Sequence, residues 1–364
     1  MLLLEQLKQI PDHRGVQGRK YPLWVLIILL LIGNLCGHEG YRPTADFCQK
    51  YRQKLWSLLD LEASMPSPSY STLRRTMISV KYQHWEEAFN TWALATMPEQ
   101  IGRCSSIDGK SIKCTSKGGN TSKQDFVSIV SVYNHENGGV IQLKVMHNKK
   151  VSEIKVAREL IEKLKDLSSR QCFSLDALHT QIKTVAQITA VKHDYLIAVK
   201  ENQPKLYQSL EKITQNSQAL SAATSQDNTH GRQVQRQVKV FTAPIYLQQE
   251  WKGLKTLIRV ERSGKRQQQD FQEVAYYLSS QEFSAPMYLK DIQGHWSIEN
   301  QLHWVKDVTF QEDNPPRRGG YAPVNWAILF SWFITLARRA KVRTVPQARR
   351  LWANQIDELF ALLL

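Results

Sequence analysis

The stretch from Gly294 to Asp313, GHWSIENQLHWVKDVTFQED, gathers carboxylates, imidazoles and indoles into twenty positions. At 3.6 residues per turn, steps of four and seven residues return to the same face of a helix. One face of such a helix carries the titratable side chains His295, Glu299, His303 and Lys306. A second face suits packing against a core and consists of Ile298, Leu302, Val305 and Thr309. The pattern therefore predicts one helix that presents a carboxylate between two imidazoles and an ammonium.

Other interpretations of this helix exist. A charged helical face is more often a solvated surface, but such a surface rarely includes two tryptophans and two histidines, and clustered titratable groups mark functional sites. The imidazoles of His295 and His303 could also bind zinc or iron together with Glu299. Spacing alone rarely identifies a metal site, so we favour histidines that orient Glu299 or the groups of a ligand.

Two aspartates end short apolar segments that are predicted to be strands, Ser105–Asp108 and Phe173–Asp176. A single Asp often serves only as a turn or cap residue. Here both follow strands of the same predicted sheet, and Glu299 adds a third carboxylate from a helix. Three carboxylates from separate elements suit two Mg²⁺ ions about 3.5–4 Å apart, which clamp the attacking and leaving oxygens of a phosphodiester. The chemistry indicated is metal-dependent phosphoryl transfer.

The elements that must position these acids alternate between strands and helices. Short apolar runs predict further strands at Phe126–Tyr133, Val140–Met146 and Tyr195–Val199. Helical spacing predicts helices at Glu153–Leu167, His179–Val191 and Pro204–Thr214. The resulting order, β-β-β-α-β-α-β-α, predicts a mixed α/β fold in which helices cover a mixed sheet.

A further block lies between the second aspartate and the acidic helix. Residues 216–230 are rich in Ser, Gln and Asn and are predicted to be a surface loop. Three strands with basic edges are predicted after it, at Gln233–Phe241, Leu254–Glu261 and Val274–Leu278. We interpret residues of about 216–285 as a β-rich insertion into a domain spanning 99–343. A basic helical tail at 344–364 follows.

Residues 1–98 are predicted to form an all-helical N-terminal domain. Two of its helices, joined by the linker Met65–Ser69, resemble a helix-turn-helix whose second helix carries Arg74 and Arg75. An ordinary helix with a serine N-cap is the alternative. The apolar run Pro22–Ile32 is shorter than the roughly 18 residues of a membrane-spanning helix, so it predicts a buried core helix.

The charge of the chain points to its class of partner. It has 48 Lys and Arg against 33 Asp and Glu, a formal net charge of +15. Such a field indicates a polyanionic partner, nucleic acid before an acidic membrane. The five cysteines have no CxxC spacing, which is typical of reduced thiols in a cytoplasmic protein without structural zinc or disulfides.

Several motifs carry a family resemblance. In chain order they are Pro11–Arg14, Ile107–Lys110, Asp176–Gln181, YLIAVKENQ at 195–203, His230–Arg232 and the stretch Gly294–Asp313. Together they resemble DDE-type insertion-sequence transposases, of the group related to H-repeat-associated proteins. The resemblance covers nearly the whole chain and implies an RNase H-like catalytic domain with Asp108, Asp176 and Glu299 as the catalytic and metal-binding triad. It also implies two Mg²⁺ ions, which Mn²⁺ can replace.

The resemblance implies double-stranded DNA as the partner. The element's ends would be cut to free 3′-hydroxyls that attack target DNA, and the protein would act as a homodimer or larger assembly, with no membrane partner. The side chains predicted to contact DNA are Lys110, Lys200, Arg232, His295, Trp296, Asn300, His303, Lys306, Arg74 and Arg75. Gln293 and Val234 stand where relatives commonly carry an arginine and an acid. A decayed relative that binds DNA without cutting it is the alternative, against which the intact acids argue.

Overall fold

The N-terminal part of the chain is helical, as its sequence predicts. The computed structural model describes residues 3–96, 102–118, 124–228, 233–266, 269–314 and 317–363. The first helices are α1 (Leu3–Lys8), α2 (Leu23–Leu35), α3 (Tyr41–Lys50), α4 (Arg52–Leu58), α5 (Tyr70–Ser79) and α6 (Tyr82–Ala95). Nearly every residue of α2 is buried, so the predicted core helix is confirmed. Across the described ranges, no helix combines the length and apolarity needed to cross a membrane.

The first helix expected of the helix-turn-helix, Thr44–Leu59, is divided into α3 and α4, and the second is α5. Helix α5 begins after Ser69, whose Oγ accepts a hydrogen bond from the backbone N–H of Thr72 at 3.3 Å. This is the serine N-cap of the alternative interpretation. Arg74 and Arg75 lie on the exposed side of α5, and their contact with DNA stays a prediction.

Nine strands of the described chain form one mixed sheet. They are β1 (Cys104–Lys117), β2 (Asp125–Asn134), β3 (Val140–His147), β4 (Cys172–Leu175), β5 (Asp194–Val199), β6 (Ser221–Asp227), β7 (Gln233–Thr242), β8 (Thr256–Arg266) and β9 (Gln269–Ser279). Their order is β3-β2-β1-β4-β5-β9-β8-β7-β6. Strands β1, β4 and β5 are parallel, and the other pairings are antiparallel. This confirms the mixed α/β fold class and is consistent with an RNase H-like domain.

The later helices pack on this sheet and beside it. They are α7 (Glu153–Lys163), α8 (Ile182–Ala190), α9 (Pro204–Asn216), α10 (Ile245–Glu250), α11 (Ala285–His295), α12 (Ala322–Arg339), α13 (Val345–Leu351) and α14 (Ile356–Leu363). Helices α7 and α8 cover one face, where Leu160 and Ile188 join Phe173 and Tyr195 in a fully buried cluster. The strand–helix alternation after Cys104 is therefore the predicted one.

The predicted surface loop at 216–230 is wrong in its central part. Ser221–Asp227 is strand β6, which pairs with β7 at each of its seven residues. Its residues alternate between partly buried and exposed, because successive side chains of a strand point to opposite faces of the sheet. Backbone pairing with β7 thus overrides the polar composition. Strand β9 pairs in turn with β5, so the β-rich block extends the main sheet.

The N-terminal helices share a hydrophobic core with the rest of the chain. Helix α6 covers the edge strand β3, because the Asn90 side chain donates to the Leu143 carbonyl and accepts from its N–H, both at 2.8 Å. Buried polar backbone at a sheet edge needs such partners. The tail helices α13 and α14 also enter this core through Val345 and Leu359. The helical regions therefore pack against the β3 edge of the sheet.

Candidate active site

Asp108 and Asp176 lie side by side on two parallel strands. Ile107 of β1 pairs with Leu175, the last residue of β4, and Asp176 directly follows that strand. Asp108 is the next residue of β1, but the prediction that a strand ends there is wrong, because β1 continues to Lys117. Asp176 also caps the short 3₁₀ turn that follows, since its Oδ1 accepts a hydrogen bond from the Leu178 N–H at 3.0 Å. The parallel register therefore brings together two acids that are 68 positions apart in the sequence.

The Asp108 carboxyl group is the more buried of the two aspartates. Burial raises its pKa to about 6, and nearby Glu153 and Asp176 act in the same direction, while His303 opposes them. Desolvation and like charges both disfavour the ionised form. A cation at this position would favour the carboxylate, so the environment of Asp108 suits a metal ligand.

Glu299 lies on the helical segment that continues from α11, but this segment is not a regular α-helix. Glu299–His303 and Val305–Thr309 are π-helical, with hydrogen bonds from residue i+5 to residue i such as Phe310 N–H to the Val305 carbonyl at 3.0 Å. The wider turns move Phe310 into the core, where Thr309 was predicted to pack. Ile298, Leu302 and Val305 are buried as predicted.

His303 joins two acids of the predicted triad. Its Nδ1 lies 3.0 Å from Glu299 Oε2 and 3.5 Å from Asp108 Oδ2. The hydrogen bond from His303 lowers the pKa of Glu299, whose side chain is otherwise largely exposed. Ligand atoms of Asp108, Glu299 and His303 all lie within 4.8 Å of one another. His303 is itself only 4% exposed, so it positions the Glu299 carboxylate beside Asp108.

The alternative metal set of His295, Glu299 and His303 is not assembled. The His295 ring faces the sheet, with its Nδ1 2.9 Å from Ser174 Oγ, and its backbone carbonyl accepts from Ser106 Oγ at 3.1 Å. His135 Nε2 completes this cluster, 2.7 Å from Ser106 Oγ. The ring of His295 and its backbone carbonyl thus anchor the end of α11 to β4 and β1 respectively, and its contact with DNA stays a prediction.

The serines of this cluster were missed by sequence reasoning, although a signal was present. Ser106 and Ser174 each stand two residues before a site aspartate, and therefore on the same face of its strand. Their Oγ atoms lie 3.1 Å apart. Burial lowers the pKa of His135 to about 3 and also lowers the pKa of His295, so both rings are neutral hydrogen-bonding groups. The cluster fixes where the Glu299-bearing segment starts.

Lys110 and Lys306 are also placed differently from the prediction. Lys306 is 2% exposed, and burial lowers its pKa to about 8 while Glu312 opposes that shift. The Lys110 ammonium lies 2.6 Å from Asp307 Oδ1 and 3.8 Å from Glu312 Oε2. Both ammonium groups thus face acids inside the protein. The expectation that they contact DNA phosphates is corrected, because neither is on the surface.

The other side chains predicted to contact DNA differ in their exposure to solvent. Trp296 is 52% exposed, and Asn300 and Lys200 are exposed as well, with Lys200 directly after the end of β5. Lys200 is close enough to His295 to lower its pKa. Arg232 lies outside the described residues. Contact of the exposed side chains with DNA stays a prediction.

A fourth acid, Glu153, reaches the site and was not predicted. It lies in the first turn of α7, which Ser152 caps. A Cβ atom placed on Gly109 would lie 2.5 Å from Glu153 Oε2, so this carboxylate occupies the space beside the Asp108 strand that only glycine leaves open. His179, which is fully buried, has its Nε2 3.4 Å from Glu153 Oε1 and 3.9 Å from Asp176 Oδ1. The spacing Asp176-x-x-His179 was the only sequence signal for this pair.

Comparison with known proteins agrees with this geometry. Residues 99–329 match the family described as "Transposase DDE domain", and residues 4–93 match one described as "DDE_Tnp_1-associated". "Putative transposase YncI" of Escherichia coli O157:H7 is 30% identical over 335 residues, covering 88% of this chain and 84% of that protein. "H repeat-associated putative transposase YhhI" of Escherichia coli (strain K12) is 29% identical over 342 residues, covering 90% and 87%. The chain belongs to the DDE transposase family.

Proposed function

We propose that this chain cleaves the ends of a mobile DNA element and joins the freed 3′-hydroxyls to target DNA by two-metal phosphoryl transfer. Asp108, Asp176 and Glu299 are the proposed metal ligands. One observation carries the proposal: the β1–β4 register sets Asp108 beside Asp176, and the helical segment after α11 delivers Glu299 to Asp108. Ligand atoms of Asp108 and Glu299 lie within 4.8 Å of each other, and Asp176 follows the β4 residue that pairs with Ile107; this placement supports the proposal.

The donor set supports magnesium rather than a softer metal. Carboxylate oxygens are the ligands that Mg²⁺ and Mn²⁺ prefer, and no cysteine stands among these groups. Two bound Mg²⁺ ions would neutralise charge on the attacking and leaving oxygens of the phosphodiester. Burial raises the pKa of Asp108, and a bound divalent cation would favour its ionised form. His303 holds Glu299 toward Asp108, and Glu153 adds negative charge at the same position.

The proposed DNA path crosses the exposed surface next to these acids. Trp296 and Asn300 flank Glu299 in the sequence and project into solvent, and Lys200 lies at the neighbouring strand end. An exposed indole can stack on a base or sugar, whereas a lysine ammonium contacts phosphates. The net charge of +15 would give this binding a strong dependence on salt. A homodimer or larger assembly on the two element ends is part of the proposal.

A cleavage and joining assay tests the function. The substrate is linear DNA that carries the terminal inverted repeats found beside the gene, incubated with the purified protein, Mg²⁺ and a supercoiled target plasmid. We expect nicked ends with 3′-hydroxyls, followed by joining of those ends to the plasmid, and neither product when EDTA replaces Mg²⁺. Binding to the repeats without any cleavage in Mg²⁺ or Mn²⁺ would refute the catalytic proposal and identify a DNA-binding relative.

A further inference from the structure

A cavity of about 640 Å³ lies between the N-terminal helices and the end of the helical segment that carries Glu299. We call it the arginine pocket, after the four guanidinium groups that line it, those of Arg74, Arg317, Arg318 and Arg349. Arg74 comes from α5 and Arg349 from α13, while Arg317 and Arg318 lie just before α12. Thr309, Phe310 and Gln311 form the wall that continues from the segment of Glu299.

The pocket has a strong excess of positive charge. Among its described lining residues the one acid is Glu39, and that carboxylate is paired with Arg349. Four guanidinium groups therefore share one lining carboxylate, which leaves a net positive charge. Clustered arginines in a concave site concentrate positive potential and attract anions. The geometry points to a negatively charged ligand.

Two of the arginines are held rigidly against aromatic rings. The Arg317 guanidinium lies 4.4 Å from the centre of the Trp326 ring and 4.8 Å from that of Phe330, and Arg349 lies 4.7 Å from that of Phe310. Stacked guanidinium groups are pre-organised for recognising phosphate. Less entropy is then lost when an anion binds.

Some hydrogen-bond donors of the pocket arginines have no acceptor among the described residues. Arg317 Nη1 and Arg349 Nε are buried and find no acceptor among the described residues. Arg103 shows the contrast, because its guanidinium donates to both oxygens of Asp291 and to Gln281. Leaving a buried donor unpaired is unfavourable, whereas a phosphate oxygen in the pocket would accept from it. These donors add to the positive charge of the lining, which is the observation that favours an anion.

The position of the pocket relates it to the proposed catalytic acids. Thr309 stands ten residues after Glu299 on one continuous helical segment, which is at most about 15 Å along its axis. Base pairs of DNA are stacked about 3.4 Å apart, so this distance corresponds to roughly four base pairs. We infer that the arginine pocket binds the sugar–phosphate backbone of the DNA duplex within about four base pairs of the bond that the acids cleave. The inference rests on the proposed function, and it would tie the N-terminal helices and the acids to the same duplex.

The test uses two pocket arginines that are exposed and so dispensable for folding, Arg74 and Arg318. Binding of the full chain to a short fluorescent DNA duplex is measured by anisotropy over a series of KCl concentrations. For Arg74→Ala combined with Arg318→Ala we expect binding weakened about tenfold or more and a salt slope reduced by about 0.9 for each phosphate that is no longer neutralised. The matched control is Arg42→Ala, which removes an exposed arginine of α3 that does not line the pocket.

The outcomes separate this inference from the proposed function. Wild-type affinity and salt slope in the double variant would overturn the arginine pocket as a DNA site, even if the wild-type protein cleaves DNA. An equal decrease in affinity for Arg42→Ala would overturn it as well, since diffuse surface charge would then explain the effect. Mg²⁺-dependent nicking by the wild-type protein is measured in parallel, and its absence would count against the proposed function alone.

Discussion

The ion pair between Arg103 and Asp291 should set the stability of the helix that leads to Glu299. Arg103 directly precedes β1, and Asp291 lies on α11, so the pair joins the strand of Asp108 to that helix. Arg103 Nη2 donates to the two Asp291 oxygens at 2.6 and 2.5 Å, and the guanidinium stacks 4.5 Å from the Phe283 ring centre. Burial raises the pKa of Asp291, although Arg103 opposes it. Asp291 is therefore a carboxylate whose burial depends on its partner.

Replacing Arg103 tests whether the buried Asp291 carboxylate depends on it. Breaking a buried pair costs about 3–5 kcal/mol, and since Arg103 is partly exposed we expect Arg103→Met to lower the free energy of unfolding by about 3 kcal/mol. Removing both charges with Arg103→Met and Asp291→Leu should recover most of that stability. Lys290→Ala is the control, because its pair with Glu136 is on the surface and should contribute less than about 1 kcal/mol.

Urea unfolding at pH 7 of the wild-type protein, the two single variants, the double variant and the control measures these differences. A result in which Arg103→Met is as stable as Lys290→Ala would refute the dependence of Asp291 on Arg103. A double variant whose loss in free energy of unfolding equals the sum of the losses of the two single variants would refute it as well. Additivity would mean that the residues do not interact.

Three further predictions follow from individual contacts. Between pH 8 and 10.5 the unfolded chain keeps a proton on Lys306 that the folded chain releases, so the free energy of unfolding of the wild-type protein should rise with pH relative to that of Lys306→Met. Urea unfolding that shows the same pH dependence for both proteins would contradict the burial of this ammonium. Gly109→Ala should displace the Glu153 carboxylate and raise the Mg²⁺ concentration needed for cleavage by about tenfold, and an unchanged Mg²⁺ titration would remove Glu153 from the site. Asn90→Ala should lower the free energy of unfolding by about 2–4 kcal/mol, because it leaves the N–H and the carbonyl of Leu143 buried and unpaired. A decrease of less than about 1 kcal/mol, measured by thermal or urea unfolding, would show that these backbone groups of β3 find other partners.

Much of the site could be predicted because its signals are local in the sequence. Asp108 and Asp176 each follow apolar residues of strands predicted to share a sheet, and the parallel register of β1 and β4 brings them together as predicted. The predicted end of the first strand at Asp108 is wrong, because pairing with β2 continues β1 to Lys117. The back face of the Glu299 segment was predicted from its helical period down to Val305. These features need only the periodicity of the backbone and the preference of apolar side chains for burial.

The rest depends on contacts that the sequence does not express locally. Period 3.6 cannot reveal π-helical turns, which is why Phe310 rather than Thr309 is buried and why Lys306 is enclosed. Strand β6 looks like a loop because its pairing with β7, not its own composition, makes it a strand. The hydrogen bond between His135 and Ser106 joins the turn after β2 to β1, and nothing near either residue in the sequence indicates it.

The most direct test of the catalytic role of the three acids is Mg²⁺-dependent nicking of end-containing DNA by isosteric variants. Asp108→Asn, Asp176→Asn and Glu299→Gln keep the side-chain shape but remove the charge that would hold a divalent cation. We predict that each variant fails to cleave while its DNA binding stays within a few-fold of wild type, because phosphate contacts elsewhere set affinity. Asp46→Asn, an exposed acid on α3, should cleave as the wild-type protein does. Near wild-type cleavage by any one of the three variants would contradict the assignment of that residue as a metal ligand.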